Sequence, residues 1–297
     1  MSGKIDWKGM FTALVTPFKK DGSLDEAGLE MLVQRQVEAG IHGLVPCGTT
    51  GESPALSGAE WAKVIEITVR VAKDKCFIVA GTGTNNTAAS VEKTKKARDL
   101  GADGALVITP YYNKPTPDGL ELHFRRIAES VPDFPIMVYN VPGRTGVNAL
   151  PDTIGRLIEI PGIAAIKEAS GNLAQSWEIS RRYSDRVALF SGEDGLNLPI
   201  FEVGGDGAVS VLTNVVPELC VELYDAHVAG NKASAMELHQ QLLPLSQSLF
   251  VETSPGPVKH AFKKMGLPGG EVREPLAPMR PESEPVIEKD LRELGVI

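Results

Sequence analysis

Eight short apolar runs recur along the first three-quarters of this chain, at residues 13–15, 43–46, 77–80, 105–108, 136–139, 163–166, 188–190 and 208–211. Their starts lie roughly 20 to 34 residues apart, the length of a strand, a loop and a helix. Strands that alternate with helices pair in parallel, and a parallel sheet needs both faces covered. Eight such units can close on themselves and so remove the edges that an open sheet has to protect. The expected fold is α/β, a (β/α)8 TIM barrel. An open doubly wound sheet is the alternative that the same alternation allows. Gly81-Thr-Gly-Thr-Asn-Asn lends it little support, because it lacks the third glycine of a dinucleotide-binding turn.

The helix signals are physical. Ser23 with Glu26, and Ser57 with Glu60, have the spacing at which a hydroxyl and a carboxylate satisfy the free amides of a first turn. Pro117 after Thr116 suits the first helical position, where no amide partner is lost. Leu29, Leu32, Val33 and Val37 fall on one helical face ahead of Gly40, which stands where a left-handed stop is wanted. Leu120, Phe124, Ile127 and Ala128 make a second stripe. From about Pro217 the strand signals end, and residues 221–228, 233–250, 257–265 and 285–294 read as helices between Gly and Pro breaks. This divides the chain into a catalytic barrel over residues 1–224 and a C-terminal α-helical domain over 225–297, with no linker long enough to let the second move freely.

Composition narrows the function. Against 30 Lys and Arg stand 38 Asp and Glu, a net charge of −8, the wrong sign for a nucleic-acid backbone or an anionic membrane as main partner. Cys47, Cys76 and Cys220 cannot all pair and form no CxxC, and the five histidines lie too far apart for a local zinc motif. No metal-ligand cluster stands out in the sequence. The first residues carry charges where an export signal needs an apolar stretch, and no run of about 18 apolar residues is available to span a bilayer. A reducing, cytoplasmic home is the expectation.

In barrels of this kind the loops after the strands converge on one mouth, where the chemistry collects. Hydroxyls, one amine and one phenol dominate there. Lys167 ends the run 163–166, and strand alternation puts it on the side of Ile163 and Ala165 while turning Glu168 away. If that side faces the interior, desolvation favours the neutral amine, a nucleophile toward carbonyls; a lysine at the exposed end of a strand is the plainer reading. Tyr139 ends its run by the same logic and can carry protons or simply plug the barrel top. Thr49 and Thr50 follow Gly48 in a glycine-bounded turn, whose amides and hydroxyls can hold a carboxylate, orient the phenol, or do no more than make the turn. Arg144, in Val141-Pro-Gly-Arg-Thr-Gly, can grip a carboxylate bidentately or lie solvated. Tyr111 and Tyr112 can serve a subunit interface or a proton path.

Taken together and in order, Gly48-Thr-Thr-Gly-Glu-Ser53, Thr109-Pro-Tyr-Tyr-Asn113, Tyr139-Asn-Val-Pro-Gly-Arg-Thr-Gly146, Ile166-Lys-Glu-Ala169, Gly204-Gly-Asp-Gly207 and Phe250-Val-Glu resemble the dihydrodipicolinate synthase family of pyruvate-dependent class I aldolases. The likeness covers essentially the whole chain. It implies that Lys167 forms a Schiff base with pyruvate, whose enamine attacks the aldehyde of L-aspartate 4-semialdehyde in lysine and diaminopimelate biosynthesis. It further implies a proton relay of Thr49, Tyr139 and Tyr112, the last supplied by a neighbouring subunit. Thr50 would meet the pyruvate carboxylate, Arg144 the carboxylate of the semialdehyde, and Gly192 and Val209 would line the pocket. A homotetramer built as a dimer of dimers, working without a cofactor, is implied as well.

Other members of that family, of the sialic-acid lyase or ketodeoxygluconate aldolase type, would share the lysine and tyrosine but have no small second carboxylate to place at Arg144. From different classes, a metal-dependent class II aldolase would need imidazole or carboxylate ligands at the mouth, and a barrel used only for binding would leave the mouth residues unexplained. Ser53, Asn85 and Tyr111 match the family's lysine-regulatory site. Gly58, Trp61 and Ala89 stand where lysine-inhibited bacterial members carry two histidines and a glutamate, so weak or absent inhibition by lysine is expected.

Overall fold

A computed structural model describes residues 4–297. Residues 1–3, part of the stretch read above as unfit for an export signal, lie outside the described residues. The strands are β1 (Gly9–Ala13), β2 (Gly43–Val45), β3 (Phe77–Gly81), β4 (Gly104–Ile108), β5 (Ile136–Asn140), β6 (Ile163–Glu168), β7 (Ala188–Ser191) and β8 (Gly207–Ser210). They hydrogen-bond in sequence order into a closed, parallel barrel, the expected (β/α)8 architecture. The helices between them are α1 (Glu26–Glu38), α2 (Gly58–Ala72), α3 (Thr87–Asp99), α4 (Pro117–Ser130), α5 (Pro142–Thr145), α6 (Pro151–Leu157), α7 (Leu173–Tyr183) and α8 (Asn197–Glu202). Four more follow β8: α9 (Pro217–Val228), α10 (Lys232–Ser248), α11 (Gly256–Met265) and α12 (Glu284–Glu293). Among the described residues no helix is long and apolar enough to cross a membrane.

The first strand starts at Gly9 rather than at residue 13. Thr12 breaks the apolar character of this segment in the sequence, yet its hydroxyl is buried at no cost because it donates to Gln36 Oε1 at 2.7 Å. The ladder ends early because the Val15 amide donates to the Asn214 side chain at 3.1 Å. Closure needs a residue without a side chain in β8. A Cβ on Gly207 would overlap the Gly9 carbonyl, and the Gly9 amide donates to Asp206 O at 2.9 Å.

The helix ends correct one expectation and meet three, Gly40 after α1 among them at φ 74°. Ser57 and Glu60 form the reciprocal box at α2, and Thr116 accepts from Gly119 N ahead of Pro117. Ser23 does not cap α1. Its amide and hydroxyl both bond Asp21 Oδ1, at 2.9 and 2.6 Å, and Asp25 is the cap, accepting from Gly28 N at 3.0 Å. On α1 the last buried position belongs to Gln36 rather than Val37, because Gln36 both accepts from Thr12 and donates to Thr213 O at 2.9 Å.

The chain packs as two compact units. One comprises residues up to Gly9 and Val79–Val209; the other comprises Met10–Ile78 and Ser210–Ile297. The first is built around β4 to β7, whose Val107, Val138, Ile166 and Phe190 are fully buried, with α3, α4, α6 and α7 packed in succession. In the second, α1 packs on α2 and the last four helices pack on one another. Arg35 fixes the chain leading into α9 by donating to Asn214 O and Val215 O, each at 2.8 Å.

Candidate active site

In the first unit β5 and β6 run in register, so that Tyr139 lies beside Lys167 and Asn140 beside Glu168. The register shifts once, near Ile136 and Met137, and is regular from Ala165 onward. Lys167 is 5% exposed, and its Nζ stands 4.2 Å from the centroid of the Tyr139 ring. The adjacent acid does not serve it. The Glu168 carboxylate is taken by Ser170 N at 2.7 Å, Asn140 Nδ2 at 2.9 Å and Gln175 Nε2 at 3.2 Å. Among the described residues Lys167 has no carboxylate partner, which leaves a buried amine against an aromatic face.

Gly192, expected to line the pocket, abuts the lysine itself. A Cβ there would stand 2.9 Å from Lys167 Cε and 2.7 Å from Ala169 Cβ, and the Gly192 amide is pinned by Glu168 O at 2.8 Å. Next to it, Glu193 titrates above the ordinary carboxylate range, first through burial and then through the charge of Asp194, while the positive charge of Lys167 pulls it back. Glu193 therefore lies within electrostatic reach of Lys167, and nothing in its sequence setting marked it apart from Asp194. Val209 is buried in β8.

The loop after β4 carries Tyr111 and Tyr112. Tyr112 has φ 73° and is 87% exposed, its amide donating to Thr145 O at 3.4 Å. Asn113 Nδ2 donates to Asn85 O at 2.9 Å, so the loops after β3 and β4 are tied together and bring the neighbourhoods of Asn85 and Tyr111 to one place. Arg144 sits in α5, a single turn opened by Pro142 and closed by Gly146 at φ 72°. Thr145 is the buried member of that turn and accepts from Val147 N at 3.2 Å; Arg144 is exposed and without an ion-pair partner among the described residues.

Thr49, Thr50 and Ser53 belong to the second unit. Thr50 is buried and Thr49 and Ser53 half-buried, in a turn where Glu52 N donates to Thr49 O at 3.1 Å and Ser53 N to Gly48 O at 3.4 Å. Thr16 Oγ1 donates to Gly51 O at 2.8 Å. Of the three replaced positions, Gly58 opens α2 on the surface, Trp61 is buried core, and Ala89 is half-buried in α3. Sequence reasoning gave no role to Glu52, whose partner Lys259 lies in α11 and whose other contact, Arg273, is 221 residues further along the chain. It also set aside every histidine, yet His260, Glu284 and Glu288 bring ligand-type atoms within 4.8 Å of one another. Glu288 is already claimed by Lys264 at 2.7 Å and Arg292 at 2.8 Å, which hold its carboxyl down to about 2.

A buried amine beside a phenol, with its neighbouring carboxylate committed elsewhere, suits attack on a carbonyl and the proton transfers that follow. Comparison with known proteins points the same way. Residues 6–294 match the Dihydrodipicolinate synthetase family. The chain is 51% identical over 279 residues to a 4-hydroxy-tetrahydrodipicolinate synthase of Methanothrix thermoacetophila, covering 94% of each chain. It is 46% identical over 291 residues to one of Thermodesulfovibrio yellowstonii, covering 98% of this chain and 99% of that one. It superposes with a TM-score of 0.95 and 41% identity on the chloride-inhibited dihydrodipicolinate synthase of Acinetobacter baumannii in complex with pyruvate, covering 98% and 99% of the two chains.

Proposed function

The chain belongs to the dihydrodipicolinate synthetase family, and from that premise we propose that it is a lyase of the class I aldolase type that condenses pyruvate with L-aspartate 4-semialdehyde. The observation that carries this reading is the burial of Lys167 over the Tyr139 ring while Glu168 is bound by three other donors. The Lys167 nitrogen adds to the ketone carbon of pyruvate, and loss of water from the carbinolamine leaves a C=N bond. Loss of a methyl proton gives the enamine, whose carbon bonds to the aldehyde carbon of the semialdehyde as the aldehyde oxygen takes up a proton. The amino group of the semialdehyde then adds to the C=N carbon and displaces Lys167, closing the ring of 4-hydroxy-tetrahydrodipicolinate.

Tyr139 carries the protons of these steps, in a relay with Thr49 and with Tyr112 from a second copy of the chain. The exposure of Tyr112 in a left-handed backbone conformation supports its donation to a partner. Thr50 receives the pyruvate carboxylate and Arg144 that of the semialdehyde, a task for which an unpaired guanidinium is suited. Gly192 and Val209 line the pocket. The reaction serves lysine and diaminopimelate biosynthesis in the cytoplasm, with no cofactor, and the working form is a homotetramer of two dimers. Without the two histidines and the glutamate at Gly58, Trp61 and Ala89, the regulatory positions Ser53, Asn85 and Tyr111 hold lysine weakly or not at all.

Borohydride reduction in the presence of pyruvate, followed by peptide mass mapping, tests the central step. The expected result is a reduced pyruvyl adduct on Lys167, lost in Lys167→Ala. An adduct on a different lysine, or none, refutes the mechanism. Without borohydride, the enzyme supplied with pyruvate is expected to turn over aspartate semialdehyde but not sugar aldehydes.

A further inference from the structure

We propose that Lys259 is a positioning residue for the turn that presents Thr49 and Thr50, and that it acts through Glu52. The inference rests on the roles proposed above for the two threonines. The turn holds a backbone that its own residues do not favour. Cys47, at φ 56°, and Glu52, at φ 52°, bracket residues 48–51 in the left-handed region, which residues carrying a side chain rarely adopt. Such a conformation persists where surroundings over-determine it.

The surroundings at Glu52 are specific. Its side chain is 1% exposed, one oxygen lies 2.7 Å from Lys259 Nζ, and the other accepts from Arg273 N at 2.8 Å. Lys259, whose side chain is 3% exposed, is fixed in turn: its amine donates to Glu271 O at 3.0 Å and stands 4.2 Å from the Phe18 ring centre. Burial pushes the Lys259 amine down and the charge of Glu52 opposes it, the balance expected of a desolvated pair. Arg273 packs on the same ring. Its guanidinium lies 3.9 Å from the Phe18 ring centre and donates to Ala55 O at 2.9 Å and to Glu60 Oε2 at 3.0 Å. One strap from the end of the chain therefore holds the Thr49–Thr50 turn by Glu52 and the start of α2 by Glu60.

A buried ion pair is a poor source of stability, because well-packed apolar groups of similar volume do as well or better. What it supplies is a single place for the Glu52 carboxylate, and with it the backbone two residues beyond Thr50. Catalytic geometry is more sensitive than folding to such placement, since a shift near 1 Å can cost about a hundredfold in rate.

The test uses full-length Lys259→Met, Glu52→Gln and the double variant, each followed by thermal unfolding and by borohydride trapping of pyruvate on Lys167 across a range of pyruvate concentrations. Lys259→Met alone is expected to unfold at a lower temperature, because it leaves a carboxylate buried without its cation. In the double variant the unfolding temperature returns toward that of the parent, while the pyruvate concentration for half-maximal trapping stays raised about tenfold or more. A double variant that regains both stability and normal half-saturation overturns the proposal. Should the double variant not fold, Glu52→Gln, which keeps the volume and the Arg273 bond, makes the same comparison, and normal half-saturation there overturns it equally. A parent protein that traps no pyruvate refutes the proposed function instead, so the two failures are distinct.

Discussion

Replacing Gly192 by alanine tests the site at one atom. The new Cβ would stand 2.9 Å from Lys167 Cε, 3.1 Å from Lys167 Cγ and 2.7 Å from Ala169 Cβ. Ordinary carbon contacts begin near 3.5 Å, so relief requires displacements of roughly half an ångström or more. The Gly192 backbone cannot retreat easily, because its amide is bonded to Glu168 O at 2.8 Å and the Glu168 carboxylate is itself bonded to three donors. Ala169 is likewise tied through its amide to Asn140 O at 2.9 Å. The lysine side chain is the softest of the neighbours and is expected to move, taking Nζ off the Tyr139 face. Overpacking of this kind costs about 1–3 kcal/mol of stability, and displacement of the nucleophile about a hundredfold in the rate of imine formation. Single-turnover borohydride trapping with saturating pyruvate reads the second effect separately from folding. A Gly192→Ala protein that traps pyruvate within threefold of the parent rate would show that Lys167 does not need this space, and the argument for its placement would fail.

Tyr139→Phe keeps the ring under the Lys167 amine and removes the hydroxyl; turnover is expected to drop about 10²- to 10⁴-fold with the unfolding temperature little changed, as steady-state rates and a thermal melt would show. Arg144→Ala should raise the KM for aspartate semialdehyde far more than the pyruvate concentration needed for trapping, and equal damage to both would remove the assignment. Lysine titrated into the purified enzyme is expected to inhibit weakly or not at all; strong inhibition at low concentration would contradict the reading of Gly58, Trp61 and Ala89. His123, buried with its Nδ1 2.9 Å from Thr87 Oγ1, is pushed by burial from an ordinary 6.5 down to about 4. Its contribution is therefore complete above pH 6.5 and is lost as pH falls toward 4, so chemical denaturation should show the parent losing about 2 kcal/mol more than His123→Gln between pH 7.5 and pH 5.

The barrel was legible because its strand signal is local and repeated. β3 to β7 each contain most or all of an expected apolar run, since buried parallel strands are continuous in hydrophobicity. β1 was misplaced for a reason that a local pattern does not contain. Its Thr12 is tolerable only because Gln36 meets it, and its end is set by Asn214, which comes from the far end of the chain. The same holds at α1: Ser23 and Glu26 have box spacing, but Asp21 takes the Ser23 amide and hydroxyl, and Asp25 caps the helix by accepting from Gly28 N.

The candidate site divides along the same line. Lys167 and Tyr139 could be read from sequence because each ends an apolar run, and adjacent strands of a barrel bring run ends side by side. Glu168 was turned away from Lys167 by alternation alone, but the physical reason it stays away is the set of donors from Asn140, Ser170 and Gln175, one of which sits in the following helix. Glu52 shows the limit of local reading. Within its own segment it is one more acid after a glycine, and its neighbours could only suggest a turn. The left-handed backbone and the buried Lys259 distinguish it, and both belong to the folded molecule. A motif of consecutive residues thus reports what touches the substrate more readily than what holds those residues still, because side chains that face one pocket can cluster in sequence while their supports arrive from wherever the chain passes behind them.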